Sequence, residues 1–303
     1  MWKHRDVKEI LLIGCPGFIL ATVACCLVLF AVLNGKSISL LVWLLAAVGT
    51  TLIVWAVISS NKQQRRVKEY QAKREATARA IRDAVLAGKA PERPFFVYLR
   101  PFAIDDKGYT VPAGIPADFA YVEEYGWPTA GNDLESALAN LVYSYGLMIA
   151  LSDKPGDAGV AHIQASDDSW REDIRAICNQ AAGIFIVPFD YKGTAWEVGL
   201  LVESGWLEKT FFVMPAEQFF NRVPGLKWMT ADYRRLWAAG RERYAALSLP
   251  AYEPRGQILQ VINGKVTPYL FGEYIDKTLE AKNDIAALQA RLKELVEKHK
   301  DAH

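Results

Sequence analysis

A glutamate stands where an apolar strand would give way to a helix. The stretch from Gly183 to Gly199 begins apolar, passes through a polar turn and delivers Glu197 to the start of a helix. A carboxylate at such a position is a candidate for nucleophilic or electrostatic chemistry. Thr194, three residues earlier, offers another explanation, because this spacing is also that of a capping box, whose side chains only satisfy backbone donors. The sequence leaves both interpretations open.

The elements that would position Glu197 alternate between short apolar strands and amphipathic helices. Helices are predicted from Asn132 to Tyr145, from Trp170 to Ala182 and from about Thr194 to Gly205, and the strands between them are predicted at Phe95–Phe102, Leu147–Leu151, Ile184–Val187 and Lys209–Met214. Near-continuous apolar strands of this kind are typical of a parallel sheet with helices on both faces. We therefore predict an α/β fold with a flavodoxin-like sheet.

The C-terminal third is less regular. Residues 232–247 are predicted to be helical, and an Asn263–Gly264 pair between apolar runs indicates a hairpin, although its first arm could instead be a fifth parallel strand. Residues 273–303 form a charged helix with apolar residues at helical spacing. That helix either packs on the sheet or serves self-association.

A ligand crevice is expected where the strand order reverses. Ligands of open α/β sheets bind outside the carboxyl ends of the strands at this point, and with the order 2-1-3-4 it lies between the first and third predicted strands. Residues from the ends of both strands would converge there. They are Arg100, Phe102 and Asp105 after the first strand, and Asp190, Thr194, Trp196 and Glu197 after the third.

Two apolar runs precede the predicted sheet. The first extends from Ile10 to about Leu33 and the second from Ile38 to about Ser59, and each is as long as the roughly 20 residues that cross a bilayer core. A tight turn separates them, whereas residues 61–82 are rich in lysine and arginine. The positive-inside rule then places both termini in the cytoplasm. We expect a two-helix membrane hairpin, multi-pass in the inner membrane, whose basic stalk also meets anionic lipid head groups.

Composition excludes several classes of function. The formal net charge of +1 is unlike that of a strongly basic nucleic-acid binder, so no nucleic-acid partner is expected. Three of the four cysteines lie in the first apolar run, which argues against a disulfide framework. His299 and His303 have the spacing of half a zinc site, but no cysteine pair or acidic cluster completes it. We predict no metal site.

Several segments together resemble the core of the TIR-like superfamily, which includes nucleoside 2-deoxyribosyltransferase-like proteins. These segments are Asp168–Trp170 at a helix start, Ala182–Pro188, Gly193–Glu197 and Lys209–Pro215, and the similarity covers roughly residues 95–215. The resemblance implies a flavodoxin-like fold. It also implies cleavage of an N-glycosidic bond in NAD or a nucleoside by a glutamate, here Glu197 beside Trp196. Because TIR-like enzymes often act as assemblies, it further implies a homo-oligomer.

The chemistry implied by the resemblance needs few groups. Breaking a ribosyl bond develops positive charge on the sugar, which a carboxylate can stabilise or capture covalently. An aromatic ring such as that of Phe102 or Trp196 could stack on the base, and Arg100 could meet phosphate. No cofactor is expected, because NAD or a nucleotide would be the substrate.

The sequence supports three hypotheses for a chain divided into a hairpin (1–60), a stalk (61–90), a TIR-like domain (91–272) and a C-terminal helix (273–303). The first is a membrane-anchored NAD or nucleotide glycohydrolase acting in bacterial antiphage defence. The second is a non-catalytic domain that senses a nucleotide or a partner and controls a membrane-perturbing hairpin. The third is an anchored scaffold with a degenerate pocket.

Overall fold

The computed structural model describes residues 40–99, 134–152, 160–164, 169–216, 232–270 and 279–301. Its helices are α1 (Leu40–Leu86), α2 (Leu134–Val142), α3 (Trp170–Gln180), α4 (Lys192–Glu203), α5 (Tyr233–Arg243) and α6 (Leu279–Asp301). Its strands are β1 (Phe95–Leu99), β2 (Leu147–Ser152), β3 (Ala161–Gln164), β4 (Gly183–Ile186), β5 (Thr210–Met214), β6 (Gln257–Ile262) and β7 (Lys265–Leu270). Short 3-10 helices lie at Trp206–Lys209 and Ala245–Leu247.

The strands form one mixed seven-stranded sheet in the order β3-β2-β1-β4-β5-β6-β7. The first five are mutually parallel, and β6 and β7 join antiparallel to β5 and to each other. Within this sheet the four predicted strands have the order 2-1-3-4, so the reversal point lies between β1 and β4. The α/β fold is confirmed.

The C-terminal end of the sheet is antiparallel, where the sequence left open a hairpin or a fifth parallel strand. Strand β6 begins beside the end of β5, where Gly256 lies against the backbone of Met214 and Ala216, so it must run back antiparallel. Asn263 and Gly264 have φ values of 51° and 73°, as a tight hairpin turn requires, which confirms the hairpin and excludes a fifth parallel strand for its first arm. The four-residue β3 was not predicted because it is too short to show a period.

Both faces of the sheet are covered. Every residue of β1, β4 and β5 is buried although side chains alternate between the two faces of a strand. On one face, Phe185 stacks on Phe211 at 4.9 Å between ring centroids. The apolar stripe of α6 (Leu288, Leu292, Leu295, Val296) belongs to the same core, so the sheet-packing interpretation of the last helix is correct.

Helix α1 runs for 47 residues, across the predicted boundary between hairpin and stalk. Its residues from Gln71 onward belong to the same compact unit as the sheet, and Ala78, Ile81 and Val85 are buried in the core. Among the residues that the structure describes, no helix is long and apolar enough to cross a membrane. The first predicted membrane run, residues 10–33, lies outside the described residues.

Candidate functional site

Helix α4 carries the predicted glutamate on its buried face, at the start of its second turn. The helix begins at Lys192, one residue after the extended Tyr191, whose carbonyl accepts from the Ala195 amide at 2.8 Å. Thr194 and Glu197 lie three residues apart and therefore point to the same side. Both residues are buried, with 2% and 3% of their surface exposed.

The structure excludes the capping-box interpretation of this pair. Tyr191 is the N-cap and makes no side-chain cap, so Thr194 stands inside the helix as its third residue. The Thr194 hydroxyl is buried and has no hydrogen-bond partner among the described residues. Thr194 and Glu197 therefore do not serve as a helix cap.

Burial dominates the electrostatics of Glu197. Within the described part of the chain its carboxyl has neither a salt bridge nor a hydrogen bond, and desolvation raises its pKa to about 8. Burial also raises the pKa of the nearby Cys178 thiol. It raises the pKa of Tyr244 to about 12, and the negative charge of Glu197 adds to both shifts. At neutral pH most molecules hold Glu197 protonated, so it can donate a hydrogen bond or a proton.

The segment that follows β4 is held by α5. Gly240 of α5 lies so close to the Pro188 carbonyl that an added Cβ would stand 2.0 Å from its oxygen. The Tyr244 hydroxyl donates to the Phe189 carbonyl at 3.2 Å, and Phe189 stacks on Tyr233 at 6.0 Å. These contacts set the direction in which the chain leaves β4 and enters α4.

Asp190, predicted to bind substrate, is paired with a protein cation. Arg243 donates to its carboxylate at 2.6 Å, and both side chains are nearly half exposed. An exposed pair of this kind is weak, typically less than about 1 kcal/mol. Asp190 therefore lies at the rim of the site, and a ligand that takes either partner must compete with the other.

Trp196, predicted to stack on a base, packs against the first turn of α3. Its ring meets that of Trp170 edge-on at 4.9 Å, and the Arg171 guanidinium lies 5.0 and 5.6 Å from the Trp170 and Trp196 ring centroids. Trp196 is half-buried rather than fully exposed. Its described contacts link α4 to α3.

The other predicted wall lies outside the described residues. Arg100, Phe102 and Asp105 follow β1 directly, but the description of that strand ends at Leu99. Leu99 pairs with Ile186, so the carboxyl ends of β1 and β4 lie next to each other in the sheet. The position and contacts of Arg100, Phe102 and Asp105 stay a prediction.

Tyr244 and Arg243 complete the described part of the site and were missed from the sequence. Both fall in the predicted helix 232–247, yet they reach Phe189 and Asp190, which are 55 and 53 residues away. No local pattern carries that distance. A buried tyrosine hydroxyl needs a partner, which was the one available signal.

A separate groove of about 380 Å³ lies between α3 and the end of α4. It contains none of the predicted site residues, being lined by Glu172, Arg175, Ala176, Asn179, Ser204 and Trp206. In the described part of the chain, no group of three or more histidines, cysteines, aspartates or glutamates could hold a metal ion.

Comparison with protein-family models, with curated proteins and with solved structures found no match.

Proposed function

We propose that the chain is a membrane-anchored, TIR-like enzyme that hydrolyses the N-glycosidic bond of NAD or a related nucleotide. The observation that carries the proposal is Glu197: a buried carboxyl without a described partner, one turn into the helix that follows β4. That position borders the point where the strand order reverses, which is where ligands of such sheets bind. A carboxyl kept buried without compensation favours a functional over a structural role.

Because the pKa of Glu197 is raised, its role depends on whether the substrate carries a positive charge. A nicotinamide ring joined to ribose carries a positive charge, and a cation beside a buried acid lowers its pKa and releases its proton. The carboxylate so formed faces the positive charge that develops on the ribose while water adds to the anomeric carbon. The products are nicotinamide, ADP-ribose and a proton.

A neutral nucleoside would use the same group differently. It brings no charge to ionise Glu197, so the protonated carboxyl would act as a general acid and donate its proton to the departing base. The dependence of the rate on pH separates the two cases. Loss of activity above a pKa near 8 favours the acid role, whereas activity that persists at higher pH favours the cationic substrate.

The test of the proposal follows NAD consumption by the purified full-length chain. We expect Glu197→Gln to lower the rate by at least 100-fold, a typical loss when a catalytic acid or charge-stabilising group is removed. The matched control is Glu203→Gln, which changes an exposed glutamate of the same helix and should leave the rate unchanged. Equal NAD loss by the Glu197→Gln variant and the unaltered chain would contradict the assignment.

Membrane attachment is part of the proposal. It is supported by the two uncharged runs of the sequence and by large apolar side chains exposed near the start of α1, namely Val48, Val54, Trp55, Val57 and Ile58. Large contiguous exposed apolar patches are typical of membrane or partner contacts. We place the chain in the inner membrane with both termini in the cytoplasm, as an oligomeric effector of antiphage defence.

A second candidate function is a sensor that controls the membrane segments without catalysis. The favouring observation is that α1 is one uninterrupted helix from the end of the second apolar run to the core contacts of Ala78, Ile81 and Val85. The test is dye release from phosphatidylglycerol vesicles. Release that requires residues 1–60 and survives Glu197→Gln would favour the sensor, and no release would exclude it.

A further inference from the structure

The end of α1 is joined to α3 by an ion pair. Arg82 donates from Nη2 at 2.6 Å and from Nε at 3.2 Å to one carboxylate oxygen of Asp173. The Asp173 side chain is only 6% exposed, and that of Arg82 is 26% exposed. A carboxylate this buried depends on its partner, because an unpaired charge in such a position is strongly unfavourable.

The same turn of α3 also holds α4. Asp173 lies in the first turn, together with Trp170 and Arg171, and these two residues contact Trp196 through the edge-on ring pair and the guanidinium. Trp196 directly precedes Glu197. One helical turn therefore contacts α1 through Asp173 and the candidate catalytic turn of α4 through Trp170 and Arg171.

Apolar packing makes the α1 contact specific. Ala78, Ile81 and Val85 are buried in the core at helical spacing, and Arg82 follows Ile81 on the adjacent side of the helix. Arg79, by contrast, is exposed, and it makes no hydrogen bond or ion pair among the described residues. Displacing the end of α1 would thus break the Arg82 pair with Asp173.

We propose that Arg82 is a positioning residue, through which α1 sets the orientation of Trp196 and Glu197 by way of the first turn of α3. The catalytic meaning of this coupling rests on the proposed function, but the coupling itself does not. In the paired arrangement, Arg82 holds the first turn of α3 through Asp173, and that turn holds the Trp196 ring through Trp170 and Arg171. When Arg82 withdraws, Asp173 is left buried and unpaired, and we expect the turn to rotate toward solvent and Trp196 to follow it.

The test uses full-length chain labelled with 5-fluorotryptophan and needs no substrate. The fluorine resonances of Trp170, Trp196 and Trp237 are assigned from the Trp→Phe variants of each position. In Arg82→Ala we expect the Trp170 and Trp196 resonances to shift, and amide exchange across residues 192–197 to rise at least tenfold. Arg79→Ala is the matched control and should change neither.

Trp237 of α5 is the internal reference, because its side chain is fully buried and its indole N–H donates a hydrogen bond to the Pro250 carbonyl at 3.0 Å. Unchanged Trp196 resonances and exchange in Arg82→Ala would overturn the proposal, and so would an equal change at Trp237, which indicates a general loss of the fold. If Arg82→Ala does not fold, the same resonances and amide exchange are measured in Arg82→Lys. This variant keeps the charge but loses the second donor to Asp173. The charge reversal Arg82→Glu with Asp173→Arg should restore the Trp196 resonance.

The outcomes separate this inference from the proposed function. Shifted Trp196 resonances together with full NAD turnover in Glu197→Gln would retain the coupling and reject the catalytic assignment. Unshifted resonances with loss of turnover in Glu197→Gln would do the reverse. Where both hold, Arg82→Ala should lower kcat more than it raises KM, because it misplaces the reacting group rather than removing a binding contact.

Discussion

At the scale of single residues, Glu197 and Thr194 are two polar groups buried where apolar ones would be more stable. Thr194 leaves its hydroxyl without a described partner, and Glu197 is held largely uncharged by burial. An unsatisfied buried hydroxyl costs about 1–3 kcal/mol, and a buried charge costs more. Groups that carry such a cost with no described structural return are expected to act on a ligand.

The raised pKa of Glu197 predicts how stability depends on pH. The unfolded chain loses this proton near pH 4.3, whereas the folded chain retains it up to about pH 8. Between these values the folded state binds more protons than the unfolded state, so stability falls as pH rises, by at most about 1.4 kcal/mol per unit, and the effect ends above pH 8. Urea unfolding at pH 5, 6, 7 and 8 measures the slope.

Glu197→Gln should flatten that slope, because the amide keeps the shape of the side chain but does not titrate. Glu203→Gln should leave the slope as it is, since that glutamate is exposed. A slope that persists unchanged in Glu197→Gln would place the titrating group elsewhere.

Thr194→Val separates stability from activity. Valine has nearly the shape of threonine without the unpaired hydroxyl, so we expect stability to stay level or to rise by about 1 kcal/mol. If the hydroxyl binds substrate, KM for NAD should rise in the same variant. Chemical denaturation and steady-state kinetics on one preparation test both expectations, and a loss of more than about 1 kcal/mol would reveal a structural partner for the hydroxyl.

At the scale of elements, the site depends on how α5 closes over the end of β4. The helix approaches the backbone at Pro188 through Gly240, where no side chain could fit, and Tyr244 completes the contact by donating to Phe189. Close approach to backbone is a use of glycine that no local pattern in the sequence reports. The position of α5 is therefore as much a part of the site as α4.

Two glycine substitutions test this arrangement with opposite signs. Gly240→Ala would place a Cβ 2.0 Å from the Pro188 oxygen, so we expect α5 to shift and stability to fall by about 1–3 kcal/mol. Gly199→Ala in α4 meets no atom within 4 Å, so it should stabilise by about 0.5–1 kcal/mol through helix propensity. Thermal unfolding of both variants is the measurement, and equal behaviour would show that α5 does not approach Pro188 so closely.

At the scale of the whole molecule, the position of helix α6 also depends on contacts between residues that are far apart in the sequence. Arg291 donates to Gln260 of β6 at 3.2 Å and to the Glu208 carbonyl at 3.1 Å, and Gln260 donates to that carbonyl at 2.6 Å. Together with the buried Leu292, these contacts make α6 a layer of the domain. The described apolar stripe is used within the chain, so any self-association must use another surface.

Leu292→Ala distinguishes a layer of the domain from an assembly helix. We expect a loss of about 2–5 kcal/mol in unfolding free energy, the range for a buried leucine, with no change in molecular mass by light scattering. The neighbouring Lys293→Ala is the control, because its 3.8 Å pair with Glu297 is exposed and contributes little. A change of mass without loss of stability in Leu292→Ala would favour the assembly role.

The sequence by itself determined the kinds of element and most of their positions. Strands and helices follow from the periodicity of neighbouring residues, and the Asn263–Gly264 turn follows from the φ values that those two residues tolerate. The placing of Glu197 at the start of a helix after an apolar strand needed no more than this local information.

Only the tertiary structure decided what those residues contact. Thr194 and Glu197 have the letters of a capping box, but Tyr191 is the N-cap of the helix and both side chains are buried. The pairing of Asp190 with Arg243 spans 53 residues and that of Arg82 with Asp173 spans 91. Such contacts result from the packing of whole elements against one sheet, which sets the distance between side chains that no short stretch of sequence encodes.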